Sequence, residues 1–145
     1  MAREIIAVVV GYVATFILIS VAFTAEYMLL GARHAFKPGS FEASNEWIGI
    51  GLVLNLVISI AGGFICAAIA RSKKAVIALA VVVFALGLVL SIPTLMVPRT
   101  GAVRTADDVP MFAAMQKAEE PRWVPFTLPI IGMIGVMIGG NLKRH

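Results

Sequence analysis

Hydrophobic residues fall into four blocks along the chain, about 5–30, 47–70, 75–97 and 123–142, and Glu26 is the one formal charge inside any of them. An α-helix rises about 1.5 Å per residue and the hydrocarbon core of a bilayer is about 30 Å thick, so a span needs about 20 apolar residues. The first three blocks reach that length unaided. The fourth, strictly apolar only from Phe126 to Leu142, reaches it when Trp123 to Pro125 form its interfacial edge. The pattern predicts an all-α fold, a polytopic transmembrane four-helix bundle in a single membrane domain, 1–145. Trp47 and Trp123, each where a polar loop re-enters an apolar block, are expected as interfacial anchors.

Three connections remain. Arg71-Ser72-Lys73-Lys74 joins the second and third blocks, and two polar loops, 31–46 and 98–122, join the others. Lys37-Pro38-Gly39-Ser40 has turn chemistry, because proline presets φ and glycine accepts positive φ. In 98–122, Thr105 and Asp108 have capping-box-like spacing, and Val109, Phe112 and Met115 then recur at helical intervals. A short extracytoplasmic helix from about Val109 to Glu119 is predicted there, ended by Pro121.

Composition agrees with a lipid environment. Of 145 residues, 60% are hydrophobic and 14% charged, against about 45–50% and about 25% in soluble domains. The net charge of +4 does not point to nucleic acid, because the basic residues lie beside the spans and not on a soluble face. Arg71, Lys73 and Lys74, with no acid among them, place their link in the cytoplasm, and Arg3, Lys143 and Arg144 place both termini beside it. The basic residues on the other side, Arg33, Lys37, Arg99, Arg104, Lys117 and Arg122, are spread out and offset by Glu42, Glu46, Asp107, Asp108, Glu119 and Glu120. The first block is longer than the about 7–15 residues of a signal-peptide core, so it is expected to be retained. Cys66 is alone, which excludes an internal disulfide; it is expected to be a small packing residue.

Association within a membrane relies on close packing and interhelical hydrogen bonds, and small residues let backbones approach. Asn55, Ser59, Gly63 and Ala67 form one stripe; Gly132, Gly135 and Gly139 form a second; Gly87 and Ser91 form a third; Gly11, Thr15, Ala22 and Glu26 share one side of the first block. They are expected to be packing surfaces, with a substrate path as the competing reading. Glu26 lies roughly 6 Å below the interface at helical rise, either wetted by headgroup water or paired with Arg33, or else turned inward to handle ions. Asn55 lies about 12 Å deep by the same rise and is expected to bond a neighbouring helix. Pro93 and Pro129 each free a carbonyl one turn earlier, which either is satisfied locally or coordinates an ion together with Glu26 and Ser91. Met28, Met96, Met111 and Met115, with His34 nearby, offer soft ligands but have no repeated spacing.

No phosphate loop, HExxH, GxSxG or paired-cysteine motif occurs, so neither catalysis nor a cofactor or metal is expected. The segments 30–40 (LGARHAFKPGS), Trp47, 61–70 (AGGFICAAIA) and 139–143 (GGNLK) resemble small bacterial four-span membrane proteins of unassigned function. The resemblance implies a bacterial inner membrane and carries over no catalytic residue. The expected partners are the lipid bilayer and other membrane subunits, or further copies of this chain. The leading functional expectation is a non-catalytic accessory or assembly subunit of a larger membrane complex. The alternative is a small ion or small-molecule transporter using Glu26 and Asn55, and a third possibility is a lipid-binding protein.

Overall fold

The structure is a computed structural model and describes residues 1–105 and 109–143. It is all-α. Four long helices, α1 (Ala2–Ala35), α2 (Asn45–Ala70), α3 (Lys73–Met96) and α5 (Val124–Leu142), are long and apolar enough to cross a membrane, and a short α4 (Met111–Lys117) lies between the last two. The chain is a multi-pass membrane protein. Arg144 and His145, Asp107, and Asp108 of the capping box proposed with Thr105 lie outside the described residues.

Local chemistry sets the helix ends. α1 runs past the predicted Leu30 because Gly31, at φ 67°, accepts a kink and one further turn follows to Ala35. Ser44 caps α2 by accepting from the Trp47 amide. α2 stops at Arg71, which takes the left-handed conformation and returns its amide to Ala67 O. A non-glycine residue there costs about 1 kcal/mol or more, and the resulting reversal lets α3 start two residues later. Lys37 to Ser40 form the expected turn, with Gly39 at φ 68° and the Ser40 amide on Lys37 O at 3.2 Å.

α4 is shorter than predicted. It ends at Lys117, four residues before Pro121, because the next residues turn extended: the Glu119 amide donates to Phe41 O at 2.9 Å, and the Ala43 amide donates to Glu119 O at 2.8 Å. Pairing with the first loop stops the helix before proline can.

In the bundle α2 packs most extensively on α5, α5 also on α3, and α1 on α2; α1 meets α3 lightly and α5 not at all. The predicted stripes are the contacts. A methyl at Gly135 would sit 2.6 Å from Ser59 Cβ and 2.9 Å from Leu56 O, one at Gly139 would overlap Ile60 O, and one at Gly63 would overlap Val136 O. Gly87 receives the Pro129 ring, and Gly62 receives Thr15 Oγ1. These contacts are strongest toward the end that carries the Arg71–Ser72 link, where Cys66, Leu79 and Val136 are 0% exposed. Both described termini lie at this link end: Arg3 Nε donates to Ile69 O at 2.6 Å, and Lys143 Nζ stands 5.5 Å from the centre of the Phe64 ring. Large apolar residues such as Ile5, Val9, Phe16 and Val21 face outward from α1, an apolar surface suited to lipid and not to water.

Gly139→Val should separate α2 from α5 and destabilise the bundle by about 1–3 kcal/mol, the usual cost of overpacking. Gly49→Ala, whose methyl meets nothing within 4 Å, should change stability by less than about 0.5 kcal/mol. Thermal unfolding of both variants in the same detergent checks the pair.

Candidate functional site: a roofed cleft and a buried carboxylate

At the end opposite the link, the two long loops fold over the bundle as one cap. Isolated bridges join Phe36 to Ala43, Ser40 to Val103 and Glu42 to Glu119. Glu119 Oε1 accepts from the Thr100 and Gly101 amides at 2.9 and 3.2 Å and from Thr100 Oγ1 at 3.2 Å. Arg104, only 7% exposed, donates from Nε to Ser40 O, and its amide donates to Gly39 O at 2.9 Å. Tyr27 Oη on α1 donates to Val109 O at 2.7 Å, which ties the cap to the bundle. No sequence motif marks Glu119, Arg104 or Tyr27 for these roles; each acts across a long separation that only folding closes.

Beneath the cap lies a cleft of about 800 Å³, within the usual range for small-molecule sites. All four spans line it: Phe23 and Tyr27 from α1, Trp47 from α2, Thr94 from α3 and Pro125 from α5. Met111, Met115 and Glu120 line it from the cap. Met28 and Met96 are exposed and do not join the other two methionines. Trp47, expected at the lipid interface, is half-buried and packs its ring against Phe23 at 6.0 Å and Tyr27 at 6.2 Å. Trp123 is 54% exposed.

Glu26 points inward. It is 4% exposed, and neither carboxylate oxygen has a hydrogen-bond partner, so both the headgroup-wetted reading and the Arg33 pair give way. The reason is helical phase: Gly11, Thr15 and Glu26 share the face of α1 that packs on α2. A methyl at Gly51 would lie 4.0 Å from Glu26 Oε2 and 3.1 Å from Phe23 Cε1, so the ring that lines the cleft also packs beside the carboxylate.

The other polar residues are spent on structure. Asn55 Nδ2 donates to Leu128 O at 2.9 Å, joining α2 to α5 as expected. Ser91 Oγ lies 2.6 Å from Pro125 O, the carbonyl freed by Pro129, and 2.7 Å from Gly87 O. The hydroxyl has one proton for these two carbonyls, and of the two the Pro125 carbonyl is the one that lacks its usual helical donor. Ser91 and Pro129 sit on the α3–α5 side while Glu26 faces α2, so the level that groups them in sequence does not become one site. Ser59 Oγ, fully buried at the α2–α5 contact, has no partner. Among the described residues no cluster of His, Cys, Asp and Glu could hold a metal.

Two carboxylates of the cap respond to pH in opposite senses. Burial lifts Glu120 above its usual 4.5, against a smaller downward pull from its hydrogen bond with the Trp47 side chain. Its hydrogen bond and nearby charge from Lys37, 2.6 Å away, hold Glu42 below 4.5. The folded cap therefore keeps the Glu120 proton longer than the unfolded chain does, and loses stability as pH rises from 4.5 through the raised value. The Glu42 contribution is present above 4.5 and is lost as pH falls through the lowered value.

The class defined by this fold and cleft is an all-α, multi-pass membrane protein with a loop-built cap. Comparison with family models, curated proteins and solved structures finds no match.

Two outcomes are expected of the cap. Glu119→Ala orphans three donors and should speed hydrogen exchange of 99–103 about tenfold, the equivalent of losing about 1.4 kcal/mol, while the spans stay protected. Glu120→Gln should flatten the decline in cap protection above pH 4.5 while the acid-side loss from Glu42 remains, and exchange measured across the acidic range separates the two.

Proposed function

We propose that this chain is a non-catalytic accessory or assembly subunit of a bacterial inner-membrane complex, with both termini in the cytoplasm, and that a partner segment enters the capped cleft. The cleft carries this reading. Every small-residue stripe is used in contacts inside the bundle, so a partner must engage some other surface. At the capped end all four spans contribute to a cleft walled by apolar and aromatic side chains, and Trp47 and Tyr27 are of the types enriched where partners bind. The link half is sealed by Leu79, Val136 and Cys66, which suits reception at one end more than passage through the bundle.

A second reading, ion handling, rests on Glu26. A bare carboxylate away from water costs several kcal/mol, so this one carries a proton or meets a cation, and intramembrane acids of this kind mark pathways. Asn55 does not help in this role, since its amide nitrogen is committed to Leu128 O.

Purification in mild detergent with Thr94→Trp, which fills the cleft, should lose a partner that the unsubstituted protein retains in fixed ratio. A monodisperse monomer that never held a partner overturns the assembly reading. Glu26→Gln in reconstituted vesicles tests the second: ion handling requires a pH-dependent flux that this variant abolishes, and the assembly reading expects no flux from either protein.

A further inference from the structure

A second cavity, of about 330 Å³, opens at the link end between the C-terminal turns of α2 and α5 and the start of α3. Three cations from three elements converge on it: Arg71 after α2, Lys73 at the start of α3 and Lys143 after α5. Among the described residues that line it none is acidic. Among the described residues the Arg71 and Lys73 side chains have no hydrogen-bond or ion-pair partner, while Lys143 rests on the Phe64 ring. Ser72 makes no side-chain cap to α3, so the first amides of that helix add to the positive field. An orientation signal accounts for basic residues beside a span. It does not account for their meeting around one cavity while their neighbour Lys74 stays outside it.

We propose that this cavity binds the phosphate of an anionic phospholipid headgroup. The cations supply the charge complement, and basic pockets between membrane helices recognise such headgroups. The remaining wall favours a lipid over free phosphate: Ala67, Val76, Ile77 and Met137 are apolar, and Ile77 is 43% exposed on the outer surface of α3. A glycerol backbone and the start of an acyl chain match that wall, whereas a free phosphate leaves it unfilled. The left-handed turn at Arg71 helps to build the site, because it reverses the chain within two residues and brings Arg71 and Lys73 to the same opening.

The full chain is placed in vesicles of phosphatidylcholine, with and without brominated phosphatidylglycerol, and lipid retained by the extracted protein is weighed by native mass spectrometry. The unsubstituted protein should retain phosphatidylglycerol over phosphatidylcholine. R71Q/K73Q/K143Q should reduce that preference roughly a hundredfold, at about fivefold for each cation. Lys74→Gln removes the same charge beside the cavity and should leave the preference largely intact. Equal retention of the two lipids by the unsubstituted protein overturns the proposal, as does a loss in Lys74→Gln matching that in Lys73→Gln, which would indicate general surface attraction. Inorganic phosphate that displaces the lipid at equal concentration overturns the assignment to lipid. Thermal unfolding of the triple variant in detergent should be unchanged; a preference lost only together with the fold counts against the site.

Discussion

The close approach of α2 and α5 is the contact on which the rest of this bundle depends. Between helices in hydrocarbon there is little hydrophobic drive, because lipid tails are as apolar as leucine, so stability comes from atoms in direct contact and from hydrogen bonds. Gly63, Gly135 and Gly139 provide the first by letting backbone meet backbone. Asn55 provides the second at Leu128 O. With this pair in place, α3 docks through Gly87 against Pro129 and through Ser91 on the carbonyl that Pro129 frees. The proline and the serine that reaches its freed carbonyl lie on facing helices, which is how a missing backbone donor is tolerated away from water.

α1 is held differently. It lies on α2 and touches α3 only lightly, through Gly11, which receives Leu79 and Cys66, and through Thr15, which fills the space at Gly62. Further along, the same face brings in Glu26, which has no partner. A helix glued by small residues at one end and carrying a buried acid at the other joins a rigid half to an open half. The open half is the cleft, and Phe23 belongs both to its wall and to the surroundings of Glu26.

The cap closes this end without forming a sheet. Single bridges, one buried arginine and one glutamate accepting three bonds hold two loops together. Beneath these bonds Phe36, Phe41 and Ala114 form a small buried apolar cluster, with the two rings 5.5 Å apart, so the cap has a core of its own. It lies over a cleft lined by aromatic rings. At the opposite end three cations meet at an open, partly apolar cavity.

The spans, the turn at Lys37 to Ser40 and the packing stripes could be read directly, because each depends on local composition or on a helical repeat within a single element. Ser59, Gly63, Gly132, Gly135 and Gly139 are where their spacing places them, on buried faces. The early end of α4, the packing of Trp47 against Phe23 and Tyr27, and the cap bonds of Glu119 and Arg104 could not be read in this way. Each depends on residues tens of positions apart being brought together, and no local rule encodes that. Glu26 shows the division in one side chain. Its depth follows from its place in an apolar block, but whether it met water, Arg33 or nothing depended on the rotation of α1 against α2, set by Gly11, Thr15 and their neighbours on the other helix.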